Sequence, residues 1–293
     1  MIKLTRHLIN WSKNTGQRID RLPLIIGRGP CYSLESGKSN FSTISPDQVT
    51  FYNNAGFDWW SGVSMKPLRA LNQLRVPLIR DTLTKGKPLE TSKPLQGYTC
   101  IDVGCGGGLL CEPLARLGAS VIGLDPSSGS IQAAEEHRDW FSPGLSSNLN
   151  YINTSIEDFT SDTSNHGKFD SVIASEVLEH VEDIDLFIKS CGHLIKPGGN
   201  LIITTINQTL AAYIVDILIA EKVLGLIPEG THQYQLFITP TSLQRLIEHN
   251  EFTVRSVQGM IYNPISSRWS WSKFTGNNYS MVAIKDPKKN NQP

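Results

Sequence analysis

The sequence has no surplus of charge of either sign: 27 lysines and arginines stand against 27 aspartates and glutamates. That balance leaves no basic field for a nucleic-acid backbone, and no acidic tail is present. There is no run of about 18 or more uninterrupted apolar residues, the length a helix needs to cross a bilayer, so no membrane span is predicted. Cysteine is scarce and scattered. Cys31, Cys100, Cys105, Cys111 and Cys191 form no CxxC pair. An odd, dispersed set excludes a disulfide framework and reads as free thiols in a reducing compartment. No internal repeat is visible. The N-terminus also lacks the apolar core of a secretory signal.

What the N-terminus has instead is basic and amphipathic. Between Met1 and Leu22, Lys3, Arg6, Lys13, Arg18 and Arg21 face a single acid, Asp20, and Leu4, Leu8, Ile9 and Trp11 supply an apolar side. Acid-poor segments of this kind are typical of mitochondrial transit peptides. Residues 30–45, rich in serine, glycine and proline, read as linker. We therefore expect transit peptide and linker over 1–45, one folded domain over 46–285 and a polar, frayed tail over 286–293.

Within that domain, Ser45-Pro46-Asp47 is placed to start a helix through Phe51. A short helix is expected over Val76–Thr84. Short apolar strands then alternate with helices. The strands are Thr99–Val103, Ser120–Leu124, Asn150–Asn153, Phe169–Ser175 and Asn200–Thr205. The helices are Gly108–Leu117, Gly129–Trp140 and Ile184–Ile195, the last stopped by Lys196-Pro197-Gly198-Gly199. Such alternation predicts an α/β, doubly wound, mostly parallel sheet with helices on both faces. The pattern breaks after the fifth strand. Leu210–Leu226 is long, apolar and helix-prone, ended by Pro228-Glu229-Gly230. A helix from Thr239 to His249 follows. Strands at Phe252–Met260 and Tyr279–Ile284 then close a seven-stranded sheet with an antiparallel edge.

The chemistry concentrates at Ile101-Asp102-Val103-Gly104-Cys105-Gly106-Gly107-Gly108 and Gly123-Leu124-Asp125. A strand that runs into a glycine turn, with an acid ending the next strand, is how a Rossmann-like domain holds a nucleoside. Glycines let the backbone approach the ligand, and the second acid is placed for the ribose hydroxyls. A dinucleotide fingerprint needs glycine at position 109, where Leu109 stands. The spacing Gly104-x-Gly106-x-Gly108 is the S-adenosylmethionine (SAM) variant. Cys105 in this loop reads as a small residue fitting a tight turn rather than as a nucleophile. Ligands in such sheets bind beyond the carboxyl ends of the strands, where Thr154–Glu157 could flank an adenine.

The fourth strand ends in Ser175-Glu176-Val177-Leu178-Glu179-His180. If this segment turns helical at Ser175, Glu176, Glu179 and His180 lie at i, i+3 and i+4 on one face. Two carboxylates and an imidazole so placed could bind a divalent cation, Mg²⁺ suiting the carboxylates and Zn²⁺ the imidazole. They could equally be packing residues or SAM contacts. A guanidinium can hold the SAM carboxylate bidentately, and Arg69, Arg75 and Arg80 are all candidates.

Taken together, these residues resemble the ubiquinone-biosynthesis O-methyltransferases. The resemblance rests on Trp59-Trp60, Lys66-Pro67-Leu68, Asn72-Gln73-Leu74-Arg75, Asp102–Gly108, Gly123–Asp125 and Glu176–His180. Further matches are Lys196–Gly199, Thr205-Ile206-Asn207, Pro228-Glu229-Gly230-Thr231-His232 and Tyr262-Asn263-Pro264, so that it spans roughly residues 50–284. Gln73 replaces the family proline, Ser61 the aspartate after the tryptophans, and Ser175 a methionine of some bacterial members. The resemblance implies a Rossmann-like class I methyltransferase fold and SAM contacts at Arg75, Gly104, Asp125 and Ser175. It implies a divalent cation, Mg²⁺ before Zn²⁺, on Glu176, Glu179 and His180. Glu179 or His180 would serve as general base where no cation binds, and His232 is a weaker substrate-side candidate. The segment 207–232 becomes a membrane-contacting insert. The expected substrates are polyprenylated phenols (dihydroxybenzoate and demethyl-ubiquinol). The expected setting is a coenzyme Q biosynthetic complex on the matrix side of the mitochondrial inner membrane, with peripheral attachment and no nucleic-acid partner.

Overall fold

The computed structural model describes residues 43, 49–50, 53, 58–86, 91–208 and 237–287. The expected transit peptide and linker apart from Thr43, the long apolar helix with its Pro228–His232 segment, and residues 288–293 of the tail lie outside the described residues. Of the expected first helix, Val49 and Thr50 are described and are helical, as is Asn53 just beyond its expected end.

The described strands are β1 (Thr99–Val103), β2 (Ser120–Asp125), β3 (Leu149–Asn153), β4 (Phe169–Ser175), β5 (Ile195–Ile206), β6 (Phe252–Asn263), β7 (Arg268–Ser272) and β8 (Asn278–Lys285). They form one sheet in the order β3-β2-β1-β4-β5-β8-β6-β7. The first five neighbours run parallel, and β8, β6 and β7 continue the sheet antiparallel. The mostly parallel fold with an antiparallel edge is therefore as expected. Among the described residues the sheet has eight strands rather than the seven expected. The extra strand is β7, whose Arg-Trp-Ser-Trp-Ser sequence alternates serine with tryptophan instead of carrying aliphatic residues. It forms because Trp269 and Trp271 pack on Leu71, Leu74 and Met260, and because the Trp269 indole N–H donates to the Pro67 carbonyl at 2.8 Å.

The helices are α1 (Lys66–Thr84), α2 (Cys111–Arg116), α3 (Ser128–Phe141), α4 (Ile156–Ser161), α5 (Ile184–Leu194) and α6 (Pro240–His249). Helix α1 is longer than expected, 19 residues with Pro77 inside it. Its apolar residues recur at helical spacing (Leu71, Leu74, Ile79, Leu83), and that buried face outweighs the N–H that Pro77 lacks. Helix α2 is shorter than expected because Gly108, at φ +80°, keeps the loop in a left-handed turn. Lys196–Gly199 does not interrupt the chain before a later strand; it lies within β5.

Period-two alternation builds two cores. Ile101, Val103, Val172, Ala174, Leu201 and Ile203 face one side, with Phe187, Ile188 and Leu194 of α5 and Leu243 and Ile247 of α6. Cys100, Ile173, Ile202 and Val282 face the other, with Ile79 and Leu83 of α1, Leu114 of α2 and Ile131 and Ala134 of α3. Central strands buried on both faces expose only their ends, so the carboxyl edge is where the sheet can offer chemistry.

Candidate active site

Strand order reverses between β1 and β4, and the glycine turn lies there. Gly104, Gly106 and Gly108 all have positive φ, at +69°, +52° and +80°. The Gly104 and Cys105 amides both donate to the Leu124 carbonyl, at 2.8 and 3.0 Å. A side chain at Gly104 would strike Val177, with a Cβ placed 2.6 Å from its Cγ2. At Gly106 it would lie 2.6 Å from the Trp59 ring. The spacing thus reflects backbone conformation and close approach together. Cys105 is buried, and burial pushes its thiol up to about 11, which suits a turn residue and not a nucleophile.

Asp125, ending β2, braces this turn. Its Oδ2 accepts from the Gly106 amide at 2.9 Å and its Oδ1 from the Ser127 amide at 2.8 Å. Burial raises its pKa to about 6 against the pull of those two N–H groups. Asp102, in β1, is buried as well and is also pushed up to about 6, although the Cys111 thiol donates to it and Arg75 lies near.

Of the three arginines, the structure distinguishes Arg75. Arg80 is paired with its neighbour Asp81, and Arg69 donates to the Trp59 carbonyl at 3.0 Å. Arg75 is 4% exposed. Its Nη1 donates to Ser175 Oγ at 2.9 Å and its Nε to Asn72 Oδ1 at 2.6 Å. Burial lowers its pKa, while Asp102 and Glu176 favour its charge. Ser175 Oγ lies 2.7 Å from Thr204 Oγ1, and Thr204 Oγ1 donates to Glu176 Oε1 at 2.7 Å.

The segment after β4 is not the helix expected from Ser175. Strand β4 runs through Ser175, which is still paired with Thr204 of β5. Glu176 then turns left-handed at φ +57°, and Leu178–His180 is a single 3₁₀ turn. The Glu176 amide donates to the Thr204 carbonyl at 2.8 Å, which carries the β5 pairing one residue past the strand, and the left-handed φ of Glu176 takes the chain out of the right-handed helical region. The three side chains consequently do not share one helical face. Glu176 bonds Thr204 and reaches Asn278, whose Nδ2 lies 3.5 Å from Oε2, and Glu179 Oε2 accepts from Thr205 Oγ1 at 2.8 Å. Glu179 and His180 are buried. Among the described residues, no three histidine, cysteine, aspartate or glutamate side chains are grouped so as to hold a metal ion.

Several neighbours of this site carried no signal that the sequence reading used. Thr204 and Asn278 come from strands far apart in sequence, and Thr205 was noticed only as part of a turn motif. Trp59 and Trp60 cover the glycine turn. The Trp60 indole N–H donates to the Gly107 carbonyl at 3.0 Å, and its ring stacks on His137 at 3.4 Å. Thr154–Glu157 does follow β3. There Ser155 caps α4, and Glu157 Oε1 accepts from Thr43 at 2.8 Å.

A parallel β3-β2-β1-β4-β5 half-sheet continued by antiparallel strands, with a side-chain-free turn braced by the acid of β2, defines the SAM-dependent methyltransferases. A family model described as a methyltransferase domain matches residues 72–257. Magnesium protoporphyrin IX methyltransferase from Synechocystis PCC 6803, solved with bound SAH, shares the fold at a TM-score of 0.57 and 21% identity, covering 81% of this chain and 97% of that one. Sequence relatives are closer. The mitochondrial ubiquinone biosynthesis O-methyltransferase of Homo sapiens is 43% identical over 246 residues, 83% of this chain and 66% of that protein. The Rattus norvegicus protein is 41% identical over 249 residues, 84% of this chain and 71% of that protein. The ubiquinone biosynthesis O-methyltransferase of Chelativorans sp. (strain BNC1) is 38% identical over 247 residues, 83% of this chain and 95% of that protein. The chain belongs to the ubiquinone biosynthesis O-methyltransferases and is a SAM-dependent enzyme.

Gly106→Ala tests the turn directly. The left-handed backbone alone costs a non-glycine residue about 1–2 kcal/mol, and Trp59 must also be displaced. Urea unfolding is expected to show a loss of at least that size; wild-type stability would contradict the geometry described.

Proposed function

We propose that this chain methylates a phenolic hydroxyl of polyprenylated catechol and hydroquinone intermediates, dihydroxybenzoate and demethyl-ubiquinol among them. The observation that carries the reading is the placement of buried Glu179 and His180 one short turn beyond Ser175, where Arg75 reaches the carboxyl edge of β4. On this reading Gly104 and its neighbours cradle SAM, Asp125 accepts from its ribose hydroxyls, and Arg75 with Ser175 receives its methionine end.

The reaction is an in-line displacement. The phenolate oxygen forms a bond to the SAM methyl carbon as the carbon–sulfur bond breaks, leaving S-adenosylhomocysteine. A free phenol has a pKa of about 10 and is a poor nucleophile at neutral pH, so the proton must be taken up. His180 or Glu179 is the base, and much of the remaining acceleration comes from holding oxygen and sulfonium in line.

The finer reading adds a divalent cation, Mg²⁺ or Zn²⁺, held by Glu176, Glu179 and His180. Bound to two adjacent oxygens, such a cation favours the phenolate and orients it. The donor chemistry suits it, but the arrangement described does not form the site. In that arrangement Glu176 accepts from Thr204 and Asn278 and Glu179 from Thr205. Methyl transfer to a short-tailed 3,4-dihydroxy-5-prenylbenzoate, followed with and without EDTA, separates the cases. Loss on chelation reversed by Mg²⁺ or Zn²⁺ would show that the segment rearranges around a cation. Indifference to EDTA would leave Glu179 or His180 as base. With Glu179 as ligand or as base, Glu179→Ala is expected to abolish turnover while SAM still binds; loss of SAM affinity would instead assign Glu179 to the cofactor.

The mammalian relatives are named mitochondrial, and the basic, acid-poor N-terminus supports the same location here, on the matrix side of the inner membrane. A lipid-tailed substrate favours peripheral attachment through the apolar segment 210–226, within a biosynthetic complex. Polar substitutions at Ile214, Ile217 and Leu218 are then expected to lower co-sedimentation with anionic vesicles. Unchanged binding and unchanged activity on a lipid-tailed acceptor would point to a soluble substrate instead.

Asp125 makes a pH prediction. Its carboxyl titrates near 6, and only the charged form accepts well from both ribose hydroxyls. SAM affinity is therefore expected to fall as pH drops through about 6. Because Asp102 titrates in the same range, Asp125→Asn should remove the step in calorimetric binding curves, whereas Asp102→Asn should leave it.

A further inference from the structure

Glu176 is a residue in a conformation that L side chains rarely adopt, at φ +57°, and it sits between the parts of the site assigned to methyl donor and acceptor. One residue grips it at both ends. The Thr204 carbonyl accepts from the Glu176 amide at 2.8 Å, and the Thr204 hydroxyl donates to the Glu176 carboxylate at 2.7 Å. A second hold comes from Asn278 of β8, at 3.5 Å.

The same hydroxyl also faces the donor side. Arg75 donates to Ser175 Oγ at 2.9 Å, and Ser175 Oγ lies 2.7 Å from Thr204 Oγ1. The single proton of Thr204 is committed to Glu176, so Ser175 must donate to Thr204. The chain of bonds then runs one way, from Arg75 through Ser175 and Thr204 to the Glu176 carboxylate. Thr204 and Ser175 are both buried, and bonds of this kind polarise one another where water is excluded. The register of β4 against β5 sets the alignment, pairing Ser175 with Thr204.

We propose that Thr204 is a positioning residue for methyl transfer. It holds Glu176 in its left-handed turn and thereby couples the Arg75–Ser175 end of the site, which receives SAM, to the Glu176–His180 turn, which faces the phenol. The kinetic half of this proposal rests on the phenolic-acceptor reading above; the structural half does not.

The test compares Thr204→Val, which keeps shape and loses the hydroxyl, with Thr204→Ser, which keeps the hydroxyl. Three measurements are made: hydrogen exchange of the peptide covering residues 176–181, SAM binding by calorimetry, and kcat/KM for the prenylated dihydroxybenzoate. In Thr204→Val, exchange is expected to accelerate at residues 176–178. Loss of one hydrogen bond to a charged group should lower kcat/KM for the acceptor about ten- to hundred-fold, with SAM affinity changing several-fold less. Thr204→Ser should restore both. In a Glu176→Ala background the same valine should have little further effect on kcat/KM, because the group it acts through is gone. If Thr204→Val does not fold, Thr204→Cys, a weak donor of similar size, carries the same expectations.

Wild-type exchange in the valine variant would overturn the proposal whatever the acceptor is. So would equal losses of SAM and acceptor binding, failure of serine to rescue, or an undiminished valine effect without Glu176. No transfer by the wild-type enzyme, with exchange accelerated in the valine variant, would overturn the acceptor reading alone.

Discussion

A guanidinium cannot be taken out of water without partners, and Arg75 is almost completely enclosed. Its surroundings draw four parts of the chain to one point. Asn72 comes from its own helix, Asp102 from β1, Ser175 and Glu176 from the end of β4, and Thr204 from β5. Leu71, Leu74 and Ile79 seat α1 against the sheet, and the arginine converts that packing into a charge held at the switch point between β1 and β4. Asp102 and Glu176 both favour the charge of the buried guanidinium, and the two hydroxyls link it to the Glu176 carboxylate. Removing one partner from such a set leaves the others uncompensated, so they behave as a unit rather than as separate contacts.

The glycine turn obeys a different constraint, of space rather than charge. Its left-handed glycines donate backbone N–H groups to the Leu124 carbonyl and the Asp125 carboxylate, and the residues pressed against it leave no room for Cβ atoms. Val177 closes on Gly104 from the segment after β4, and Trp59 closes on Gly106 from the N-terminal side. The turn is thus the place where the segment after β4 and the aromatic cover meet. A change in any one of them is transmitted as a steric displacement, since packed surfaces of this kind do not deform continuously.

Most of the fold and half of the site were legible without coordinates. The βα rhythm, the glycine spacing and the acid ending β2 are local patterns with local causes, and each was found where the sequence placed it. The errors fell where local pattern and tertiary contact disagree. Glu176, Glu179 and His180 have helical spacing, yet Glu176 turns left-handed where it pairs with β5, and no α-helix starts there. Strand β7 has no aliphatic alternation, yet α1 provides a surface for its tryptophans. The local expectation is a short helix over Val76–Thr84, yet the buried face at Leu71 and Leu74 extends α1 back to Lys66.

What the sequence by itself determined is what depends on neighbours a few residues apart: strand and helix order, the left-handed turn that only glycine enters freely, and the family signature. The tertiary structure alone decided which arginine is buried, which hydroxyls hold the two glutamates, and how the segment after β4 turns. Those outcomes depend on groups separated by 28 positions between Glu176 and Thr204 and by 102 between Glu176 and Asn278. Separations of that length are closed by sheet register and burial, and neither is written in any window of the chain short enough to be read as a pattern.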